Sequence, residues 1–144
     1  MKLYVNEIIR TNNFEDDDMM NKILGMWDSF YKNNDDYKGE VYAVYHDYES
    51  DYKGDYSLAL CTEDISADKF FEVDFADSTE YKCSGKDEII NVWKRIWGDE
   101  EENKIQRSYY IDCEEYKKDG SVVDRKSTRL NSSHSDRSRM PSSA

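Results

Sequence analysis

The sequence predicts an α+β fold: two βαββ units forming a curved antiparallel sheet with two helices on one side. Three observations carry this. Two stretches place apolar residues at helical spacing, each is followed by runs of β-formers, and the two rounds align at an offset of about 65 residues. At that offset Trp27 falls opposite Trp93, and Tyr45-His46-Asp47-Tyr48-Glu49 falls opposite Tyr110-Ile111-Asp112-Cys113-Glu114. Random polar alternation would seldom repeat Tyr, Asp and Glu at matching places.

Taken in order, residues 3–10 are rich in β-formers and give the first strand. Asp16, Asp17 and Asp18 put negative charge where a helix N-terminus favours it. Met19, Ile23, Trp27 and Phe30 then mark an apolar helix face, widened by Met20, Leu24 and Tyr31. After a polar break at 33–39, residues 41–48 and 56–61 read as two strands joined by a turn containing Gly54. An acidic linker at 63–69 leads to a short extra strand within 70–75. Residues 80–83 open the second round, and Ser84-Gly85-Lys86-Asp87 has capping-box spacing. Ile89, Val92, Trp93, Ile96 and Trp97 form the second helix face. Residues 108–116 read as a strand, and Asp119-Gly120 as a turn.

Composition changes abruptly near residue 124. Three arginines and no proline precede it, whereas the last twenty residues hold four arginines, seven serines and Pro141. Residues 124–134 and 138–144 read as a common short-read sequencing adapter translated in one frame, with 135–137 where a sample barcode would sit. The tail 124–144 is therefore expected to be an artefact without structure. The domain is expected to span 1–123, with the last strand of its second unit missing and the strand at 108–116 left with an unpaired edge.

A chain of 144 residues allows one domain, or two at most. Its 12 Tyr, 5 Phe and 3 Trp suit a core and equally a ligand cavity. Net charge is −12; the tail holds five Lys/Arg against two Asp, a net +3, so residues 1–123 carry −15. Such a surface disfavours nucleic acid and anionic membranes as partners. There is no apolar run of spanning length, and Glu7 comes too early for a signal peptide. Cys61, Cys83 and Cys113 are odd in number and widely spaced. They form no metal-binding pair and read as buried, reduced thiols of a cytoplasmic protein. No cofactor motif is present: neither a Gly-rich phosphate loop nor a nucleophile elbow occurs.

On a strand, Tyr110, Asp112, Glu114 and Tyr116 share one face, while Tyr109, Ile111, Cys113 and Glu115 share a core-like one. A carboxylate withdrawn from water between aromatic faces attracts an organic cation by charge and by cation–π contact. The same Asp112 and Glu114 also fit solvated strand positions, and Trp93 and Trp97 fit either a cleft wall or a helix core. His46 has no metal-ligand partner at useful spacing and reads as a solvated strand histidine.

Several segments together resemble the AraC-effector-binding/GyrI-like superfamily, especially its integron-associated effector-binding members. They are Arg10-Thr11-Asn12-Asn13, Met26-Trp27, the run from Tyr42 to Tyr52, Val92-Trp93-Lys94-Arg95-Ile96-Trp97, Gln106-Arg107-Ser108-Tyr109 and Asp112-Cys113-Glu114-Glu115-Tyr116. The resemblance implies a cleft between the halves that binds small effectors, often lipophilic and cationic. It implies that Glu114 and Tyr116 reach this cleft, and the candidate ligand-binding set is completed by Tyr110, Trp93 and Tyr45. Cys113 stands where relatives often have an aromatic residue. Relatives also continue after the Asp-Gly turn with a strand of Val-Asp-Ile-Tyr-Ile type.

Two other functions stay open. Some GyrI-like relatives hydrolyse strained cyclopropanoid compounds, for which Glu114 with a nearby Tyr would act as general base and hydrogen-bond donor. Others inhibit gyrase by protein binding. A role in transcriptional regulation or drug sensing would run through a separate regulatory partner.

Overall fold

The computed structural model describes residues 1–128. Strand β1 (Lys2–Thr11), helix α1 (Met19–Asn33), β2 (Val41–His46) and β3 (Tyr56–Thr62) form the first round, and a short β4 (Phe70–Glu72) follows. The second round is β5 (Ser78–Cys83), α2 (Ile89–Glu101), β6 (Ile111–Tyr116) and β7 (Val122–Ser127). All strands join one antiparallel sheet in the order β4-β1-β3-β2-β6-β7-β5. The two rounds therefore meet at a β2–β6 seam, where Ala43 stands opposite Glu114 and Tyr45 opposite Asp112.

Chain connectivity forces this sheet to curl. Its edge strands β4 and β5 are joined by residues 73–77 alone. The path from Glu72 to Ser78 reaches at most ~22 Å, whereas a flat sheet of seven strands sets its outer strands ~29 Å apart. Val73 and Phe75 of this bridge pack on Tyr42, Val44, Cys61 and Cys113 and cover the face opposite the helices. A β-bulge at Asn6 lets β1 serve both faces. Leu3 and Val5 belong to the bridged face, whereas Ile9 packs on the helix side.

Both helices lie on the other face. Met26 and Phe30 of α1 and Trp93 of α2 pack on Val41, Ala43, Tyr45, Leu58 and Leu60. Met20, Leu24 and Tyr31 do not widen the buried stripe as expected, and their side chains are exposed. The capping box also fails to form. Gly85 is extended, a single 3₁₀ turn (Lys86–Glu88) precedes α2, and no side chain caps either one. The Asp119-Gly120 turn is present, with Gly120 at φ +92° and Lys117 N–H donating to the Ser121 carbonyl at 2.9 Å.

Two strand expectations need correction. The strand expected to be missing is present: β7 pairs with β6 on one side and β5 on the other. Strand β6 consequently has no free edge, because β2 and β7 flank it. Strand pairing needs backbone groups more than particular side chains, so residues 124–127 can complete the ladder whatever their origin. The remainder of the expected tail, 129–144, lies outside the described residues. Strand β6 also starts at Ile111 rather than at 108, since Tyr109 adopts φ +54° and breaks the extended run.

Candidate functional site

On the helix-facing side of the seam, β6 presents Asp112, Glu114 and Tyr116, as strand alternation requires. Glu114 is wholly buried. It accepts hydrogen bonds from Trp93 Nε1 at 2.5 Å, Tyr116 OH at 2.8 Å and Tyr45 OH at 3.1 Å. Four residues of the expected site thus come together. Burial pushes the Glu114 carboxyl up to about 7, helped by Asp124, while Lys126 and the bonds from Trp93 and Tyr116 oppose the rise. Asp124 stands directly opposite on β7, and burial raises its carboxyl too.

Asp112 is equally buried but stays ionised. Its carboxylate accepts from Arg107 Nη2 at 2.9 Å, from Tyr48 OH, and from Ser127 N at 2.6 Å. Burial favours its protonation. The charges of Lys126 and Arg107, with the bonds from Tyr48 and Ser127, outweigh that and hold it below the usual carboxylate range. Tyr48 reaches Asp112 because β2 ends at His46 and Asp47 turns the chain at φ +53°.

Between these networks and α2 lies a cavity of about 30 Å³. Tyr45, Tyr48, Tyr56, Trp93 and Trp97 supply its aromatic walls, and Arg107 and Lys126 are the charged groups that line it. Lys126 Nζ sits 4.8 Å from the Tyr45 ring centroid and 3.0 Å from Asp124 Oδ1. At the mouth, Tyr52 stacks on Trp97 with centroids 5.2 Å apart, and Phe14 packs against both. The space is about that of a water molecule or two.

Glu114 does not line this cavity; Tyr45 and Trp93 stand between. Tyr116 lies behind Glu114 against Trp27, with ring centroids 4.8 Å apart. Tyr110 is not brought to the site: it precedes β6 and is 64% exposed. His46 is half-buried on the bridged face with its ring on Phe71, rather than solvated as expected, and burial lowers its pKa. Cys61 and Cys113 are buried free thiols and Cys83 is partly exposed; burial pushes Cys61 up to about 12.

Arg107, Tyr48, Asp124 and Lys126 are the site residues that sequence reasoning missed. Arg107 and Tyr48 occur in segments singled out for resemblance, but nothing local marks an arginine for burial. Asp124 and Lys126 fall in the stretch set aside as a tail.

These features define a small α+β protein with an aromatic, charge-lined cleft beside a central strand seam. No family model and no curated protein matches the chain. Among solved structures it is similar to the integron cassette protein VCH_CASS2 from the mobile metagenome of Vibrio cholerae. The TM-score is 0.74 at 23% identity, over 90% of each chain, a likeness of fold. Among the described residues no helix is long and apolar enough to cross a membrane.

Proposed function

We propose that this chain is a binding protein for lipophilic small molecules, which enter the aromatic cleft between α2 and the β2–β6 seam. The observation that carries this reading is the cavity itself. Six aromatic side chains converge on it, and two of them, Tyr45 and Trp93, are fixed by hydrogen bonds to buried Glu114. Such concave, mostly apolar sites with few polar groups suit organic ligands. The superfamily resemblance supports the same reading and adds lipophilic cations to the candidate ligands. Entry requires opening, since drug-sized ligands need roughly 300 Å³ or more. The stacked pair Tyr52 and Trp97 is the natural gate, being half-buried at the mouth.

The test is a tryptophan-fluorescence titration with a panel of neutral, anionic and cationic aromatic compounds. Saturable binding near micromolar, about −8 kcal/mol, weakened at least tenfold in Trp97→Ala, supports the reading. No binding by any compound up to millimolar concentration removes it.

One observation favours a second reading. A carboxyl whose pKa lies near 7 is poised as a general base, so hydrolysis of a strained small molecule at Glu114 is the alternative. It requires Tyr45 or Trp93 to move aside. Turnover of a cyclopropanoid substrate that vanishes in Glu114→Gln supports it, and binding without consumption rejects it.

A further inference from the structure

We infer that the cleft selects an uncharged aromatic ligand presenting a carbonyl oxygen, and that Arg107 recognises that oxygen. This rests on the small-molecule reading above and names its ligand class.

Arg107 is 6% exposed and lines the cavity. Its guanidinium lies over the Tyr109 ring at 4.2 Å, and Nη2 donates to Asp112. Nε and Nη1 are buried and donate to nothing among the described residues; Glu100 Oε1 stands 3.6 Å from Nη1, beyond hydrogen-bond reach. Buried donors are seldom left unpaired, and a charged donor makes the stronger kind of hydrogen bond. An acceptor oxygen entering the cavity would satisfy them.

Charge decides what carries that oxygen. Both charged groups on the cavity wall, Arg107 and Lys126, are cations, and Lys126 already occupies the Tyr45 face that an organic cation would seek. A cationic guest would meet two like charges there. An anion would fare no better against the region as a whole. Asp112 and Glu100, the latter 3.6 Å from Nη1, face Arg107, and Asp124 pairs with Lys126, so the region holds no surplus positive charge for an anion. A neutral guest leaves this balance intact.

Three probes of one shape separate the possibilities: naphthamide, naphthoate and naphthylmethylammonium, each titrated into the full chain by calorimetry. The Arg107 Nε–H resonance is followed by NMR. Naphthamide is expected to bind, to shift that resonance on saturation, and to bind at least tenfold tighter than the ammonium. Arg107→Lys, which keeps the charge but loses the planar donors, is expected to weaken naphthamide at least tenfold and leave the ammonium unchanged. If that variant fails to fold, the resonance in the unaltered chain decides alone. An ammonium that binds as tightly as the amide, or a resonance that stays put at saturation, overturns Arg107 recognition while the binding function stands. Naphthoate binding tenfold tighter than the amide overturns the neutral-ligand half. Silence from all three probes, alongside binding by other panel compounds, overturns this inference alone; silence from the whole panel overturns both.

Discussion

Replacing Glu114 by glutamine should make the protein more stable at alkaline pH and remove part of its pH dependence. The carboxyl is raised from an ordinary 4.5 to about 7 in the folded chain. A folded-state pKa above the unfolded one means that the folded protein holds the proton more tightly. Stability is therefore fullest below about pH 4.5 and declines as pH rises through about 7. At about 1.4 kcal/mol per unit, the ionised side chain costs about 3 kcal/mol at pH 8. Glutamine never ionises, but its NH2 group brings two N–H donors where the protonated carboxyl has one, among neighbours that are themselves donors, a loss of about 1 kcal/mol. The net expectation is a gain of about 2 kcal/mol at pH 8 and a small loss at pH 4.5. Urea unfolding from pH 4.5 to 8.5 reads both ends. Asp112, held low, and Asp16, at about 2, lose their contributions only as pH falls below their unfolded values near 3.8, outside that window. Parallel pH profiles for the two proteins would refute the reasoning and assign the burial cost to Asp124 instead.

Four further outcomes follow from the same networks. Trp93→Phe deletes the bond to Glu114 Oε2 and puts a smaller aromatic ring in place of the buried indole; chemical denaturation at pH 7 should register a loss of about 1.5–3 kcal/mol. Asp112→Asn strands the Arg107 charge in the core and should cost about 3–5 kcal/mol by the same assay; a cost under about 1 kcal/mol would mean the pair is solvated. Ending the chain after Thr128 should preserve the circular dichroism spectrum and cooperative melting. Ending it after Val123 should abolish both, because β6 and β5 lose their common neighbour. Long-read sequencing of the source DNA should show a different reading frame after codon 123, in which case the charge balance drawn from Asp124 and Lys126 holds for this chain alone; the same codons in intact genomic DNA would end the adapter reading.

The seam between β2 and β6 explains how far local sequence reaches. Six consecutive residues of β2, VYAVYH, are nearly all buried, because helices cover one face and the 73–77 bridge covers the other. Both of its faces are consequently apolar, which composition reveals. In β6, IDCEEY, alternation placed Glu114 and Tyr116 on one face. No pattern rule anticipates that its carboxylates would be the more buried groups. Their burial depends on donors from distant elements: Trp93 from α2, Tyr45 and Tyr48 from the first round, Ser127 from β7.

By itself, the sequence determined the α+β class, the two βαββ rounds and, Met20, Leu24 and Tyr31 apart, the helix faces of α1 and α2. These follow from periodicity and repetition, which are properties of neighbouring residues; the grouping of Tyr45, Trp93, Glu114 and Tyr116 came from the family resemblance. Only the tertiary structure decided that Tyr110 falls outside the site, that Glu114 stands behind the cavity rather than on its wall, and that Arg107 and Lys126 line it. The reason is physical. Where a charged side chain rests depends on the partners that compensate its burial, and here those partners arrive from strands and helices far apart in the chain.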